Sequence, residues 1–594
     1  MPMRPERGAS AATEAARAFC RVDEFLSRWQ PLTPWGKDEK EARVVCRDEA
    51  SIGELLDHLE AWRAFETRLR AEGRETALDR LAFHLGRMPR LPEPLERDGT
   101  ALDAVELFAI RKFASNYHKL SALLDPATRE AFAFVPVPRS LDEAFAPLGR
   151  EGEDFRVADA CDPRLPRIRA GLEAIDAKMA AARREREARI LEAVGIDFGG
   201  REFVVSAVSG LPETGGAELD ALVDIEPWDG NSHLLRPRPG PGELTLGDER
   251  ALLLAAERQV EAEVLASMSK AIALEAPALD ACVRAVARLD GARSRALLCS
   301  GPDFSRPRFA EAGDEKIEIA KGRLSPLESD CAASGMRYTA LSLRLPEPSA
   351  LIFGSNMGGK TVVLQTMLFL QVLAQSGFLV PAESFMAPLF PFIHFVGEGA
   401  TREVRVDRGA ERGEGGLSGF GREIRSLVEA MGSATSGGLL AFDEFARTTS
   451  SGEAEALLSA LLAALTHRPG IKALFATHFR GVARVDGARR LRMRGLDRVA
   501  IGPGLGAGSS RLASDGSPFA KAGYEEALAR LNSLMRYELV EDEGGDGRSD
   551  ALLVAGLLGL DPGIVGKAEA LFAEAHPGAP TELHDDEGKA RREG

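Results

Sequence analysis

GSNMGGKT, at residues 354–361, is the stretch of this sequence that decides the fold. It fits the pattern Gly-x-x-x-x-Gly-Lys-Thr, and it stands between an apolar strand at 351–353 and an apolar helix predicted over 361–376. A strand, a glycine-rich turn and a helix in this order direct backbone N–H groups and the positive end of the helix toward phosphate oxygens. The pattern therefore predicts a nucleotide-binding loop made of Gly354, Ser355, Asn356, Met357, Gly358, Gly359, Lys360 and Thr361.

Two side chains at the end of this loop are suited to chemistry. Lys360 can reach the β- and γ-phosphates, and the hydroxyl of Thr361 can bind Mg²⁺. ATP and Mg²⁺ are therefore the predicted ligands. Lys360 is also a catalytic candidate, because its charge offsets the negative charge of the phosphates.

Two further strand patterns end in residues that fit phosphoryl transfer. LLAFDE at 439–444 is a buried-strand pattern that ends in two acids. We expect Asp443 to bind Mg²⁺ through water and Glu444 to orient or deprotonate the attacking water. ALFATH at 473–478 ends in His478. A lone histidine at a strand end is more often structural, but the company of the other two motifs favours a role in sensing the γ-phosphate.

A fourth candidate lies between these motifs. GEGGLSGFGREI at 413–424 is a glycine-rich loop followed by the start of a helix. A helix N-terminus capped by Ser418 is suited to binding an anion. Ser418 is therefore a predicted ligand of a phosphate group.

Composition restricts the class of protein. The 594 residues include 75 basic and 91 acidic side chains, for a formal net charge of −16. This is the wrong sign for a protein that coats nucleic acid, although a local basic face is compatible with it. The six cysteines form no Cys-x-x-Cys pair and are expected to be small buried residues in a reducing compartment. Because neither a signal peptide nor a long apolar run occurs, we expect a cytoplasmic protein without a membrane partner.

The motifs, taken in order, resemble those of the MutS family of ABC-type ATPases. The phosphate loop is similar to the family's GPNMGGKS/T, and 418–423 matches its Ser-x-Phe-x-x-Glu signature segment. DEFARTTSS at 443–451 is similar to DE-x-GRGTST, and FATHF at 475–479 to the family's FATH switch segment. The resemblance covers roughly 160–575 and is strongest in the ATPase motifs.

The resemblance implies a homodimer with ATP at its interface. In the ABC-type superfamily the signature segment reaches the partner's γ-phosphate, which would be the role of Ser418. GRSDALLVAGLLGLDPGIVGKAEALF at 547–572 is similar to the helix–turn–helix that embraces the partner ATPase in this family.

Several departures from the family pattern bear on function. No Phe-x-Glu wedge of the mismatch sensors precedes residue 309, and no Leu-Asp-Leu-His-Gly motif of the small MutS-related nuclease domain occurs. The chain is therefore expected to lack both DNA-specific domains. In the loop after the metal-binding acid, Ala446 and Thr448 replace two glycines and Glu453 replaces an aspartate. These replacements could alter how ATP couples to the dimer.

The predicted fold is an α/β P-loop (ABC-type) ATPase domain preceded by a mostly α-helical lever and core region. The predicted parts are a mainly helical region at 1–150, a helical lever at 151–305 with a β tip at 198–245, the ATPase domain at 306–500, a helical dimerisation segment at 501–576 and a disordered tail at 577–594. In the lever, an apolar seam with spacings of three and four residues predicts a long helix over 162–195; its members are Leu165, Ile168, Leu172, Ile175 and Met179. In the tip, 200–208 and 222–228 are predicted strands. Arginines along 164–189 of the lever are compatible with a phosphate-contacting arm or with a solvated helix face.

Two client classes remain open at this point. The family resemblance favours DNA, bound weakly and without mismatch selectivity. The acidic charge and the missing DNA-specific motifs favour a protein client, and short MutS-like proteins that resemble this one are associated with adenosylcobalamin-dependent lysine or ornithine aminomutases. A different ABC-type machine would need very long coiled coils or a membrane partner, and the sequences NMGGK and ATH within the motifs disfavour it.

Overall fold

The computed structural model describes residues 10–92, 101–145, 157–207, 221–311, 313–354, 358–397, 419–434, 437–497, 531, 533–542, 550–558 and 560–575. The chain folds into two compact units. We call them the lever unit, which contains 83–125 and 133–286, and the sheet unit, which contains 3–82, 126–132 and 287–594. The predicted parts of the chain are divided differently, because residues of the predicted region 1–150 belong to both units.

The helices are, in chain order, α1 (Glu14–Phe19), α2 (Val22–Ser27), α3 (Pro34–Ala42), α4 (Glu49–Ala71), α5 (Thr76–Gly86), α6 (Ala104–Leu123), α7 (Pro126–Ala131), α8 (Arg139–Phe145), α9 (Arg164–Val194), α10 (Pro241–Leu274), α11 (Ala276–Leu298), α12 (Ser325–Ala333), α13 (Lys360–Gln375), α14 (Gly419–Ser433), α15 (Ser451–Thr466), α16 (Asp550–Leu557) and α17 (Pro562–Ala575). Within the described ranges, no helix has the length and apolar character needed to cross a lipid bilayer.

The strands are, in chain order, β1 (Val204–Ala207), β2 (Val223–Asp229), β3 (Ser232–Pro237), β4 (Arg308–Phe309), β5 (Ile317–Gly322), β6 (Leu341–Leu345), β7 (Ser349–Phe353), β8 (Ser384–Ala387), β9 (Ile393–Gly397), β10 (Gly438–Asp443), β11 (Ile471–Thr477), β12 (Ala488–Leu496) and β13 (Met535–Glu541).

A six-stranded sheet forms the centre of the sheet unit, in the order β13-β12-β7-β11-β10-β9. The five strands from β12 to β9 are mutually parallel, and β13 pairs antiparallel with β12. Strands β7, β9 and β11 are buried along their whole length. Mainly apolar runs such as SALIF and IKALFAT are typical of parallel strands covered on both faces. Ligands of such sheets bind at the carboxyl ends of the strands.

The predicted elements around the phosphate loop are confirmed. The predicted strand at 351–353 is β7, and the predicted helix over 361–376 is α13, shifted by one residue at each end. The strands predicted before Glu444 and His478 are β10 and β11. A second sheet in this unit has the order β4-β8-β5-β6.

The N-terminal segment of the chain is part of the sheet unit. Helix α1 contacts β9 and α13, and α2 also contacts α13. The rings of Phe19 and Phe395 are stacked, with centroids 3.6 Å apart. Phe25 meets Phe369 of α13 edge to face at 5.5 Å. This packing explains why the N-terminal residues join the sheet unit, which no local sequence pattern indicates.

The lever unit is built on a helix pair. The helix predicted over 162–195 is α9, and it packs along α10. Leu165, Leu172 and Ile175 of the predicted apolar seam are buried. The tip is an antiparallel sheet in the order β1-β3-β2. The sequence predicts two of these strands, and it misses β3 because Leu234 and Leu235 are both buried, which removes the alternation that marks a half-buried strand.

Candidate functional site

The carboxyl ends of three neighbouring strands carry the predicted chemistry. Strand β11 lies between β7 and β10, so that Thr477 pairs with Phe353 and Ala476 with Asp443. The phosphate loop follows β7, Glu444 follows β10, and His478 follows β11. The topology therefore brings together, at one edge of the sheet, residues that are far apart in the sequence.

The turn into α13 requires glycine. Gly359 is the N-cap residue of the helix, with a φ of 89° that only glycine adopts readily. A Cβ at Gly359 would also lie 3.1 Å from Cδ1 of Tyr537. Gly358 is buried beside it. Ser355, Asn356 and Met357 lie outside the described residues.

Lys360 is held at the floor of this turn. The residue is only 3% exposed, and its Nζ donates a hydrogen bond to the carbonyl oxygen of Gly354 at 2.7 Å. The same Nζ is 3.6 Å from Oε1 of Glu444. Burial lowers the pKa of Lys360, and the nearby Glu444 and Asp443 oppose that shift. An ammonium group in this position can bind a phosphate at little cost in further desolvation.

Thr361 and Asp443 form a pair that fits a magnesium ion. The Thr361 hydroxyl donates to Oδ2 of Asp443 at 2.8 Å. Oδ1 of Asp443 is buried and has no hydrogen-bond partner among the described residues. Burial raises the pKa of Asp443, and the Thr361 hydroxyl opposes the shift. A hydroxyl and a carboxylate with an unused oxygen are hard oxygen donors of the kind that bind Mg²⁺ together with phosphate oxygens and water.

Glu444 faces three basic side chains. Its Oε1 lies 3.6 Å from Lys360 Nζ and 3.7 Å from Nδ1 of His478, and its Oε2 lies 3.5 Å from Nη1 of Arg447. The Glu444 side chain is 16% exposed, whereas that of His478 is 38% exposed. The backbone of Glu444 has a φ of 47°, which is uncommon for any residue other than glycine. The loop thus directs one carboxylate into a cluster of basic side chains.

The loop after β10 depends on a contact that the sequence does not reveal. The backbone N–H of Ala446 donates to Oε2 of Glu423, at 2.9 Å, in a buried setting. Glu423 lies on α14, which begins at Gly419 immediately after the predicted anion ligand Ser418. Ser418 itself lies outside the described residues. The resemblance selects Glu423 as part of a motif, but only the structure connects it to the loop that carries Glu444.

Two further residues pack against the phosphate loop. A Cβ at Gly354 would lie 3.2 Å from Cβ of Met493 on β12, and Tyr537 on β13 lies against Gly359 in the same way. Met493 is 6% exposed, and burial raises the pKa of the Tyr537 hydroxyl. Neither residue has a recognisable motif in the sequence, because both depend on the pairing of β12 with β13 next to β7.

Comparison with known proteins relates part of the sheet unit to a known family. Residues 350–494 match the family described as MutS domain V. This part of the chain belongs to that family. Of the predicted site residues, Gly354, Lys360, Thr361, Asp443, Glu444 and His478 all lie within the matched range.

Named relatives agree with this assignment. The chain is 26% identical over 472 residues to Endonuclease MutS2 of Pelotomaculum thermopropionicum, which covers 77% of this chain and 53% of the relative. It is 28% identical over 244 residues to the DNA mismatch repair protein MutS of Lactobacillus johnsonii, covering 41% of this chain and 27% of the relative. A Streptococcus pneumoniae DNA mismatch repair protein MutS is 31% identical over 203 residues, covering 34% and 22%. The chain thus spans about half of the first relative and about a quarter of the others.

Proposed function

We propose that this MutS-family protein is an ABC-type P-loop ATPase that converts ATP and water to ADP and phosphate and couples the reaction to a conformational change. One observation carries the proposal. The Thr361–Asp443 pair lies beside Lys360 and Glu444 at the end of a glycine-capped loop, and its buried Oδ1 has no partner among the described residues. In the proposal, these groups bind a metal, bind phosphate and orient water.

Each residue has a distinct task in the proposed reaction. Lys360 would leave the carbonyl oxygen of Gly354 and bind the β- and γ-phosphates. Thr361 and Asp443 would hold Mg²⁺, and the chemistry that this ion supplies when bound is neutralisation of charge on the phosphate oxygens. Glu444 would accept a proton from the water whose oxygen bonds to the γ-phosphorus as the bond to ADP breaks. His478, beside Glu444, would contact the γ-phosphate.

The proposed assembly is a homodimer with two composite sites. Ser418 would reach the ATP of the partner, and α16 and α17 would hold the partner subunit. DNA is the proposed client, since relatives named as DNA mismatch repair proteins and as an endonuclease are similar to this chain. Binding should be weak and should not select mismatches, since no Phe-x-Glu wedge precedes residue 309.

The first experiment separates binding from hydrolysis. Lys360→Ala should lose hydrolysis and weaken ATP binding, because the phosphate counter-charge is gone. Glu444→Gln should bind ATP as the wild type does and fail to hydrolyse it, because only water activation is lost. The matched controls are Lys321→Ala and Glu383→Gln, an exposed lysine–glutamate pair 3.0 Å apart in the same unit. Equal loss of binding in both site variants would refute these roles.

The second experiment tests the composite sites. A mixture of Lys360→Ala and Ser418→Ala protomers should form heterodimers with one intact site each. Activity should therefore recover above that of either variant alone. Failure to recover, with heterodimers demonstrated by size or cross-linking, would argue against a site shared between subunits.

A protein client is the second candidate function, and the lever supports it. Four lever arginines that could contact phosphates are already paired with acids, as Arg164 is with Asp162 and Glu263.

Filter binding with matched, mismatched and branched duplexes at two salt concentrations tests the choice between a DNA client and a protein client. Absent DNA binding, together with ATP-dependent binding to an adenosylcobalamin-dependent aminomutase, would favour the protein client. A mismatch preference of tenfold or more at physiological salt would instead restore a mismatch sensor; discrimination of about 1–3 kcal/mol per base pair is typical of specific sites.

A further inference from the structure

The outer edge of the central sheet is covered by the N-terminal segment, residues 10–20. The N–H of Thr13 donates to the carbonyl oxygen of Ile393 at 3.0 Å, and the N–H of Ile393 donates to the carbonyl oxygen of Ala11 at 2.7 Å. Ala12 therefore pairs with Ile393 as a parallel bridge on β9. Ala11 and Ala12 are buried. The segment is thus an integral part of the sheet edge against which α14 packs.

His394 of β9 connects this segment to α14. Its Nδ1 lies 3.0 Å from Oγ1 of Thr13, and its Nε2 lies 3.0 Å from Oγ of Ser426 on α14. The residue is 8% exposed, and burial lowers the pKa of the ring to about 4. The imidazole is therefore neutral at pH 7, with one nitrogen as donor and the other as acceptor. Each hydroxyl can take the complementary role, so both ring nitrogens are satisfied.

The connection continues from α14 to the candidate catalytic loop. Ser426 lies three residues after Glu423, on the same face of the helix. Glu423 accepts the hydrogen bond from the N–H of Ala446, two residues after Glu444. Glu444 and Ala446 both have positive φ, at 47° and 65°. A backbone in this conformation persists only when its surroundings hold it. The position of α14 therefore decides whether Glu423 can hold the loop.

We propose that His394 is a positioning residue for ATP hydrolysis, which fixes α14 through Ser426 and thereby couples the N-terminal segment to the loop that carries Glu444. The inference rests on the proposed ATPase function. Contacts of the phosphate loop with nucleotide do not pass through His394. A disturbance at Thr13 or His394 should therefore change kcat and leave ATP affinity almost unchanged.

The test uses substitutions that break the connection at separate points. His394→Phe keeps a ring beside Phe392, whose centroid is 5.6 Å away, and removes both polar contacts. Ser426→Ala removes only the link to α14. Each should lower kcat about threefold to tenfold, the usual range for residues that couple sites. The Kd for a non-hydrolysable ATP analogue should stay within about twofold, as that same coupling argument requires. The double variant should be no slower than His394→Phe alone, because both changes interrupt one path.

Conservative variants make the test specific. The amide of glutamine reaches the position of Nε2, and the amide of asparagine reaches that of Nδ1. His394→Gln should therefore retain more activity than His394→Asn, because it preserves the link to Ser426. If His394→Phe fails to fold, this pair still decides the matter. Thr13→Ser, which keeps the hydroxyl, should match the wild type, whereas Thr13→Val should lower kcat.

A control for helix capping is needed, because Thr13 also accepts the N–H of Ala16 as the N-cap of α1. Asp48 caps α4 in the same unit by accepting the N–H of Ser51 at 2.7 Å. Asp48→Ala should lower Tm without lowering kcat. The inference is overturned if kcat is unchanged in His394→Phe and Ser426→Ala, if their effects multiply, or if Asp48→Ala slows turnover equally. When the wild type hydrolyses ATP, these results overturn only the inference; a wild type without ATPase activity overturns the proposed function as well.

Discussion

The carboxyl edge of the central sheet and the helices of the lever differ in how their charged side chains are buried and paired. At the sheet edge, Lys360 is almost fully buried, and one oxygen of Asp443 has no hydrogen-bond partner in the part of the chain that the structure describes. In the lever, Arg164 is 53% exposed and is bound to two acids. Buried charge is expensive unless it is matched, so the sheet edge is where the proposed ATP and Mg²⁺ would complete the set of partners. Matched and exposed pairs indicate helices that hold each other.

Removal of one carboxylate from each region should give the sharpest contrast. Asp443→Asn should lower the rate of ATP hydrolysis about a thousandfold or more, because metal ions supply several kcal/mol of charge stabilisation in such reactions. Glu263→Gln, which affects only an exposed partner of Arg164, should leave the rate unchanged. Steady-state hydrolysis over a Mg²⁺ titration measures both. An Asp443→Asn enzyme with both the wild-type rate and the wild-type dependence on Mg²⁺ would contradict the assigned role.

Candidate residues at the sheet edge could be predicted wherever they belong to a short sequence motif. Gly359, Lys360 and Thr361 form a contiguous motif, and Asp443 and His478 each end an apolar strand, so spacing alone places them at one edge of a parallel sheet. The partners of these residues could not be predicted in this way. Thr13 and His394 are 381 positions apart in sequence, and Glu423 reaches Ala446 by a contact between a helix and a loop.

The lever shows the same limit of prediction from sequence. Its heptad-like seam predicts a long helix and the buried Leu165, Leu172 and Ile175. The same sequence leaves open whether its arginines face solvent, acids or a phosphate backbone. That answer depends on the register of α9 against α10, which brings Arg169 to Glu257 at 2.7 Å. The register between two helices is a property of the tertiary structure, and it cannot be inferred from the periodicity of one sequence.

Acid pH should destabilise the sheet unit through His394. Burial lowers its pKa to about 4 in the folded protein, against an ordinary value near 6.5, while nearby Glu429 and the hydrogen bond with Ser426 oppose the shift. Between these values the unfolded chain binds a proton that the folded chain lacks. The free energy of unfolding should therefore fall as pH drops from 6.5 to 4, by about 3 kcal/mol at most, and level off below 4. Urea unfolding of the wild type and of His394→Gln over this range measures the difference, and parallel curves would contradict the prediction.

Backbone strain in the loop after β10, which carries the candidate residue Glu444, should appear in a matched pair of substitutions. Ala446 and Ala454 are both fully buried, but Ala446 has a φ of 65° and Ala454 lies in α15. Ala454→Gly loses a methyl group and helix propensity, about 2 kcal/mol together. Ala446→Gly loses the same methyl group but relieves a left-handed conformation worth about 1–2 kcal/mol. Its stability should therefore equal that of the wild type or exceed it by up to about 1 kcal/mol, and equal losses in the two variants would show that the loop is unstrained.

The smallest effect is expected from the lever arginines. The double variant Arg164→Gln, Arg183→Gln should bind duplex DNA with the same dependence on salt as the wild type. The reason is that both arginines are already paired with acids: Arg164 with Asp162 and Glu263, and Arg183 with Glu187. Two arginines that contacted phosphates would lower the slope of log Kobs against log salt by about 1.8 in total. The reciprocal variant, which combines Asp162→Asn, Glu263→Gln and Glu187→Gln, should strengthen non-specific binding, because it removes the acids that are paired with the two arginines. A slope reduced by the full amount in the arginine variant would mean that these ion pairs exchange for phosphate on DNA, and the contrast between the two regions would no longer hold.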